Sequence, residues 1–268
     1  ESHVDRSIDG PKNFVTTNIV GTFVLLNETL RYWRKLSVSK QAVFRFHQVS
    51  TDEVYGSLGS DGQFQEDSCY KPNSPYAASK ASADHLARAW YHTFGLPVII
   101  SNASNNYGPY QYPEKLIPRS ILSALHDRPI EIYGDGHNVR DWLFVEDHAT
   151  AIKIIFERAE PGESYNVGGS TQHTNLEVVH KICESLDSLQ PSGSPYDRLV
   201  THVDDRPGHD FRYDLDSSRL KQKFGVEAAT DFSVGLRRTV SWYLDNEVWW
   251  SDIWKTINAG RRLGQTLV

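Results

Sequence analysis

Only two cysteines occur in the 268 residues, Cys69 and Cys183, and neither sits in a Cys-x-x-Cys spacing. A disulfide framework and a zinc site are thereby excluded as readings, and a reducing, cytoplasmic setting is expected. Basic residues are not in excess: 28 Lys and Arg stand against 34 Asp and Glu, for a formal net charge of -6. They are scattered along the chain, so the basic face that nucleic acid selects is missing and no nucleic-acid partner is expected. No apolar run approaches the roughly 20 residues that span a bilayer, and no basic segment leads into an apolar one at the start. No membrane partner is expected either. Methionine is absent altogether, an unusual composition for this length. A glycine-rich strand-to-helix turn is absent too, and the chain opens at Glu1-Ser2-His3-Val4-Asp5 in what reads as mid-domain.

What remains is enough to bury a sizeable core, as one large domain or two small ones. Phe14, Ile19, Val20, Phe23, Val24, Leu26, Leu30 and Trp33 recur at intervals of three to four, predicting a long amphipathic helix over residues 12 to 36. Val43 to Val49 is a short β-rich run ending in a Ser50-Thr51-Asp52 turn, and a polar loop leads on to Ser74. Ser74 and Pro75 read as N-cap and first helical residue of a helix from about Tyr76 to Phe94, closed by Gly95. Leu96 to Ile100 comes next as a buried strand. Helix, strand, helix and strand in alternation predict an α/β fold with a doubly wound, parallel, Rossmann-like sheet, whose ligands gather at the carboxyl ends of strands. After Asn105 the texture changes to short strands, Ile130 to Tyr133, Trp142 to Val145 and Ser164 to Val167, among loops and helices. One helix opens with the capping box Thr174-Asn175-Leu176-Glu177. These predict a smaller α/β lobe packed directly on the first.

Thr51, Asp52 and Glu53 stand at a predicted strand end. Tyr76 and Lys80, four apart, stack one turn above each other on a helix. A neighbouring ammonium favours phenolate and draws a tyrosine pKa down from about 10, making the phenol a usable base for a sugar hydroxyl. Tyr-x-x-x-Lys alone occurs by chance in many helices; preceded by a strand-end Ser-Thr it gains weight. Two adjacent carboxyls in a partly dry site push each other's titrations apart, so one serves as acid and the other as base. The plain alternative is a solvated Asp-Glu turn.

Longer blocks carry a resemblance. They are Ser50-Thr51-Asp52-Glu53-Val54-Tyr55-Gly56, Ser74-Pro75-Tyr76-Ala77-Ala78-Ser79-Lys80-Ala81, Ser104-Asn105-Asn106-Tyr107-Gly108-Pro109-Tyr110, Pro113-Glu114-Lys115-Leu116-Ile117-Pro118, Arg140-Asp141-Trp142 and Arg206-Pro207-Gly208-His209-Asp210. In this order the chain resembles the extended short-chain dehydrogenase/reductase family, and within it the nucleotide-sugar 4,6-dehydratases that act on dTDP-glucose. The resemblance implies an NAD-dependent lyase. Tyr76 as phenolate, with Thr51 on the same oxygen, takes the 4-hydroxyl proton while hydride leaves C4. Glu53 is the implied base at C5 and Asp52 the acid at the departing C6 hydroxyl, before hydride returns to C6. Epimerases and decarboxylases of UDP-sugars share the layout without needing the acid and base, and a degenerate sugar-nucleotide-binding protein is a further alternative.

The resemblance also places Ser2 and Thr17 near the cofactor with Tyr76, Lys80 and Asn106. It gives the substrate Ser2, Thr51, Asn105, Lys115, Leu116, Glu131, Ile132, Tyr133, Arg140, Asn175, Arg206 and His209, with Lys115, Arg140 and Arg206 around the diphosphate, where guanidinium groups make paired charged hydrogen bonds. No metal is implied. Each residue has a duller reading. Asn105 and Asn106 could form a turn, Arg140 with Asp141 and Arg206 with its acidic neighbours could be surface ion pairs, Asn175 could serve its helix start, and His209 could be a loop histidine. Residues 1–104 then form a partial dinucleotide-binding domain with the catalytic residues. Residues 105–268 form mainly the nucleotide-sugar-binding lobe, with some of 140–160 returning to the first. The phosphate-holding turn is expected upstream of Glu1, in a longer native protein. Helix 12–36 matches one that relatives use to form homodimers. The aromatic tail of Trp242, Tyr243, Trp249, Trp250 and Trp254 reads as packing of a terminal helix.

Overall fold

The computed structural model describes residues 1–258. The first elements are helices α1 (Val4–Asp9) and α2 (Pro11–Phe14), a π-helical turn Val15–Val20, and α3 (Gly21–Trp33). The long helix expected over 12 to 36 is therefore continuous in path but wider in its middle turn. That change of winding shifts the phase of the apolar positions: Phe14, Leu26 and Leu30 are buried, whereas Val20, Phe23 and Val24 are exposed. Next come α4 (Val38–Val43), β1 (Phe46–Thr51), a 3-10 turn (Asp52–Tyr55), α5 (Pro75–Phe94), β2 (Val98–Ala103) and β3 (Asn105–Tyr107). They are succeeded by α6 (Leu116–Leu125), β4 (Ile130–Tyr133), β5 (Val139–Phe144), α7 (Val145–Arg158), β6 (Ser164–Val167), β7 (Gln172–Thr174) and α8 (Asn175–Leu189). A second 3-10 turn (Tyr196–Leu199), β8 (Val200–Val203), α9 (Ser218–Phe224), α10 (Phe232–Asp245) and α11 (Glu247–Asn258) complete the described chain.

β1, β2 and β6 form a parallel sheet in that order, Phe46 pairing with Val98 and Ile100 with Ser164. Alternate residues of β2 point to opposite faces. Val98 and Ile100 meet Leu26, Leu30 and Ala87 from α3 and α5 on one side, while Ile99 and Ala103 meet Ala151 and Ile155 from α7 on the other. Helices on both faces are what buried parallel strands require. The remaining strands make two small sheets, β3-β5-β7 and β4-β8. These share a second core in which Ile117 and Ile121 of α6, Val179 and Ile182 of α8, and Leu236 and Val240 of α10 pack together. Trp250 and Trp254 are buried in it, so the aromatic tail is packing. Among the described residues no helix is long and apolar enough to cross a membrane.

Candidate active site

The site begins where β1 ends. Thr51, its last residue, caps the 3-10 turn: its hydroxyl accepts from the Glu53 amide at 3.3 Å and donates to Asp52 Oδ1 at 3.1 Å. Gly56 closes that turn at φ 90°, where an added Cβ would lie 2.4 Å from the Lys71 carbonyl oxygen, so only glycine fits. α5 opens as its sequence dictates, with the Ser74 hydroxyl accepting from the Ala77 amide at 3.0 Å and Pro75 in the first turn. This sets Tyr76, 8% exposed, near Thr51, whose hydroxyl works to lower the phenol pKa. Lys80, one turn further on, donates to the Val49 carbonyl at 2.8 Å. Beneath both, buried Asp84 accepts from Ser50 Oγ at 2.5 Å, Tyr70 at 3.1 Å and Gln48 Nε2 at 3.2 Å, tying α5 to the strand end.

Electrostatics separate the two carboxyls. Burial, then the neighbouring Glu53 and Asp141, drives the Asp52 pKa well above the usual range, and its Oδ2 has no hydrogen-bond partner among the described residues. Burial also raises Glu53, but Arg206, Lys115 and Arg140 pull it back. Both carboxyls are thus raised, Asp52 the further, and the cations around Glu53 make it the readier of the two to lose its proton. The phenol behaves otherwise than the Tyr-Lys spacing suggests. Burial and the Glu53 carboxylate raise the Tyr76 pKa, the Thr51 contact opposes them, and Lys80 is not among the groups that chiefly set it. The Lys80 ammonium is held by a backbone carbonyl, and its principal charge partner is Asp84.

Glu53 opens onto a cavity of about 180 Å³. Its walls are Ser2, His3, Val4 and Asp5; Asn105; Glu114, Lys115, Leu116 and Arg119; Glu131, Ile132 and Tyr133 of β4; Arg140 and Trp142 of β5; Asn175 of α8; and Arg206, His209 and Tyr213. Every residue expected at the substrate is on this wall except Thr51; Asp52, Tyr76 and Lys80 do not line it either. Of those expected at the cofactor, Ser2 alone lines it. Asn106 instead shares a hydrogen bond of 2.8 Å with His148 Nδ1, and Thr17 is exposed in the π-helical turn.

The surface ion-pair reading of Arg140 falls away, since the residue is 4% exposed and its guanidinium donates to the carbonyls of Val139, Asp210 and Phe211 while lying 4.5 Å from the Tyr213 ring centre. Asp141 takes the amides of Gly169 and Thr171 instead. The Arg206 guanidinium pairs with Asp5 at 2.9 Å, while its backbone amide donates to Asp205 Oδ1 at 2.7 Å. His209 Nδ1 lies 2.6 Å from Asp205, and burial, with Arg206 and Arg140 nearby, lowers its pKa to about 4, so the ring is neutral. The cap of α8 comes from Thr174 and Glu177, not from Asn175. Asp5, Trp142 and Tyr213 line the cavity without having been expected as site residues. Trp142 was signalled by its place beside Arg140, whereas Asp5 meets Arg206 only in three dimensions, 201 residues apart.

The family profile described as GDP-mannose 4,6 dehydratase matches residues 1–239. The chain belongs to this dehydratase family. A dTDP-glucose 4,6-dehydratase of Escherichia coli is 49% identical over 277 residues, covering 98% of this chain and 76% of that protein. A probable dTDP-glucose 4,6-dehydratase of Sinorhizobium fredii is 53% identical over 264 residues, covering 98% of this chain and 75% of the relative. Among solved structures, the Streptomyces venezuelae dTDP-glucose 4,6-dehydratase with NAD bound superposes at TM-score 0.85 and 43% identity, covering 94% of this chain and 73% of that one. A UDP-glucose 4-epimerase of Thermus thermophilus in complex with NAD reaches TM-score 0.80 at only 27% identity, covering 92% and 76%. Within this dehydratase family the chain is thus much more similar to the dTDP-glucose enzymes than to the epimerases.

Proposed function

We propose that this chain carries the catalytic and sugar-nucleotide-binding parts of a dTDP-glucose 4,6-dehydratase, a lyase converting dTDP-glucose to its 4-keto-6-deoxy product and water. The observation that carries the reading is the adjacent Asp52 and Glu53, both raised by burial but with Arg206, Lys115 and Arg140 opposing that rise at Glu53, at a strand end facing a cavity rich in guanidinium groups. An epimerase needs no such pair.

Thr51 and Tyr76 hold the C4 hydroxyl and Tyr76 takes its proton. Glu53 removes the proton at C5, made acidic by the C4 ketone, and Asp52 protonates the C6 hydroxyl as it leaves as water. Arg140, Arg206 and Lys115 take the diphosphate, with β4, Asn175 and His209 around the nucleoside, and Asn105 at the sugar. The residues present fit NAD on the reacting side: Tyr76 and Lys80, a phenol and an ammonium one turn apart on α5, stand beside β1, with Lys80 Nζ donating to the Val49 carbonyl. Ser2, Thr17 and Asn106 complete the set assigned to it. When bound, NAD supplies the hydride acceptor and donor for C4 and C6, and a positive ring charge that offsets the carboxylates around Tyr76.

On this reading residues 1–104 are a partial dinucleotide-binding domain and 105–268 mainly the nucleotide-sugar lobe. The packing of α7 and β6 against β2 supports a boundary that is discontinuous over part of 140–160. The exposed apolar stripe of Val20, Phe23, Val24 and Leu25 supports a homodimer through α3, and the free thiols Cys69 and Cys183 support a cytoplasmic setting. Incubating the full-length protein with dTDP-glucose and monitoring the alkali-dependent absorbance of a 4-keto-6-deoxy sugar tests the activity. Absence of product from dTDP-glucose, UDP-glucose and a GDP-sugar alike overturns it.

A further inference from the structure

We infer that Asp5 is a positioning residue for the diphosphate: its buried carboxylate holds the Arg206 guanidinium and the Tyr133 hydroxyl together, so that the remaining Arg206 donors face the cavity. This rests on the nucleotide-sugar reading above. Asp5 is 5% exposed on α1, and each of its oxygens has its own donor, Oδ1 from Arg206 Nη1 at 2.9 Å and Oδ2 from Tyr133 at 2.7 Å. All three residues line the one cavity. A carboxylate this dry is tolerated only when paired. Burial works against its ionisation, yet the Arg206 charge and the Tyr133 hydrogen bond outweigh burial and keep its pKa below the ordinary value.

Arg206 is equally telling. A guanidinium presents five N–H donors in a planar fork, and the carboxylate engages one nitrogen only. The Arg206 Nε is buried and has no hydrogen-bond partner among the described residues. A guanidinium satisfied on one edge and unmet on another is oriented for a second anion, and a phosphate oxygen is the acceptor that this edge suits. α1 is itself fixed to the cavity wall by Arg6 to Glu114 at 2.8 Å and by Lys115 Nζ on the Ser2 carbonyl. The carboxylate thus stays in place when the anion arrives and orients the guanidinium; it is not a stand-in that the phosphate displaces.

The test is Asp5→Asn in the full-length protein, with dTDP and thymidine as competing ligands and dTDP-glucose as substrate. The expected result is a KM for dTDP-glucose and an inhibition constant for dTDP each raised about tenfold, the scale of one charged hydrogen bond. Thymidine inhibition and kcat should stay within about threefold. Asp5→Glu should recover part of the loss, and Tyr133→Phe, which removes one of the two donors to the carboxylate, should shift dTDP in the same direction by a smaller factor. Tighter dTDP binding in Asp5→Asn would show displacement and overturn the inference, as would equal losses for dTDP and thymidine, or unchanged dTDP binding. If Asp5→Asn does not fold, Tyr133→Phe decides, and unchanged dTDP inhibition there overturns it. A parent protein inactive on dTDP-glucose speaks instead against the proposed function.

Discussion

Asp52 and Glu53 are neighbours in sequence, both buried but with more cations around Glu53, and each makes a prediction. Replacing Glu53 by Gln keeps shape and removes the base, so single-turnover kinetics should still show hydride transfer from C4 while water loss falls by about 10²- to 10⁴-fold. Tyr76→Phe should instead suppress the first hydride step by a similar factor. Equal loss of both steps in Glu53→Gln would place the C5 base elsewhere. Asp52 makes a stability prediction too. Its pKa is raised in the fold, chiefly by burial, so the native state binds its proton more tightly than the unfolded chain does. That contribution is fully present below the ordinary carboxylate value and is lost as pH rises through the folded value. Asp52→Asn should therefore abolish dehydration yet stabilise the protein at pH 8 by about 1 kcal/mol relative to parent, the gain shrinking towards pH 4 in urea titrations. The pairing of these carboxyls with Thr51 was legible in the sequence because all three stand at the end of one apolar strand. The behaviour of Tyr76 was not: spacing put Lys80 one turn away, but which group a side chain's charge acts on depends on where it is tethered, and Val49 tethers Lys80.

Elements divide by how local their signals are. α5 runs Pro75–Phe94, as cap, proline and closing Gly95 dictate, because each of those devices acts within one turn of its own residue. The capping box at Thr174 is present for the same reason. The stretch 12–36 was read as uniform because its apolar spacing persists; a π turn at Val15–Val20 leaves no local mark in that spacing but rotates the faces of α3 beyond it. β5 starts at Val139, three residues before the expected Trp142, because its pairing with β7 is set by a distant strand. The turn behind Thr51 has the strictest requirement. Gly56→Ala adds both a positive-φ penalty and a clash with the Lys71 carbonyl, so a loss of about 2 kcal/mol or more is expected in thermal or urea denaturation. A change below about 0.5 kcal/mol would mean that the loop relaxes freely.

At the scale of the molecule, the parallel sheet with helices on both faces was legible from alternation alone, since strands buried on both sides must be covered. The cavity was not. It gathers residues from the first turn of the chain to Tyr213, and only the ordered blocks of the family resemblance pointed to most of its walls. Asp5 and Tyr133, which no block singled out as partners, meet through a hydrogen bond of 2.7 Å between α1 and β4. The exposed stripe on α3 belongs to this scale as well. Leu25, 62% exposed in the single chain, should be covered in a dimer, so Leu25→Glu should shift the full-length protein from dimer to monomer in sedimentation velocity without unfolding it. A parent that sediments as a monomer would remove that interface.

The 3-10 geometry of Asp52–Tyr55 has a practical result for anyone altering this protein. With three residues to each turn, successive side chains leave the backbone roughly 120° apart, so direction here is encoded by counting residues. Exchanging the two carboxyls, Asp52→Glu with Glu53→Asp, conserves charge and composition yet swaps which length of arm points which way. Inserting or deleting one residue before Gly56 would rotate both at once. Engineering for new sugars should therefore leave the length of this segment untouched.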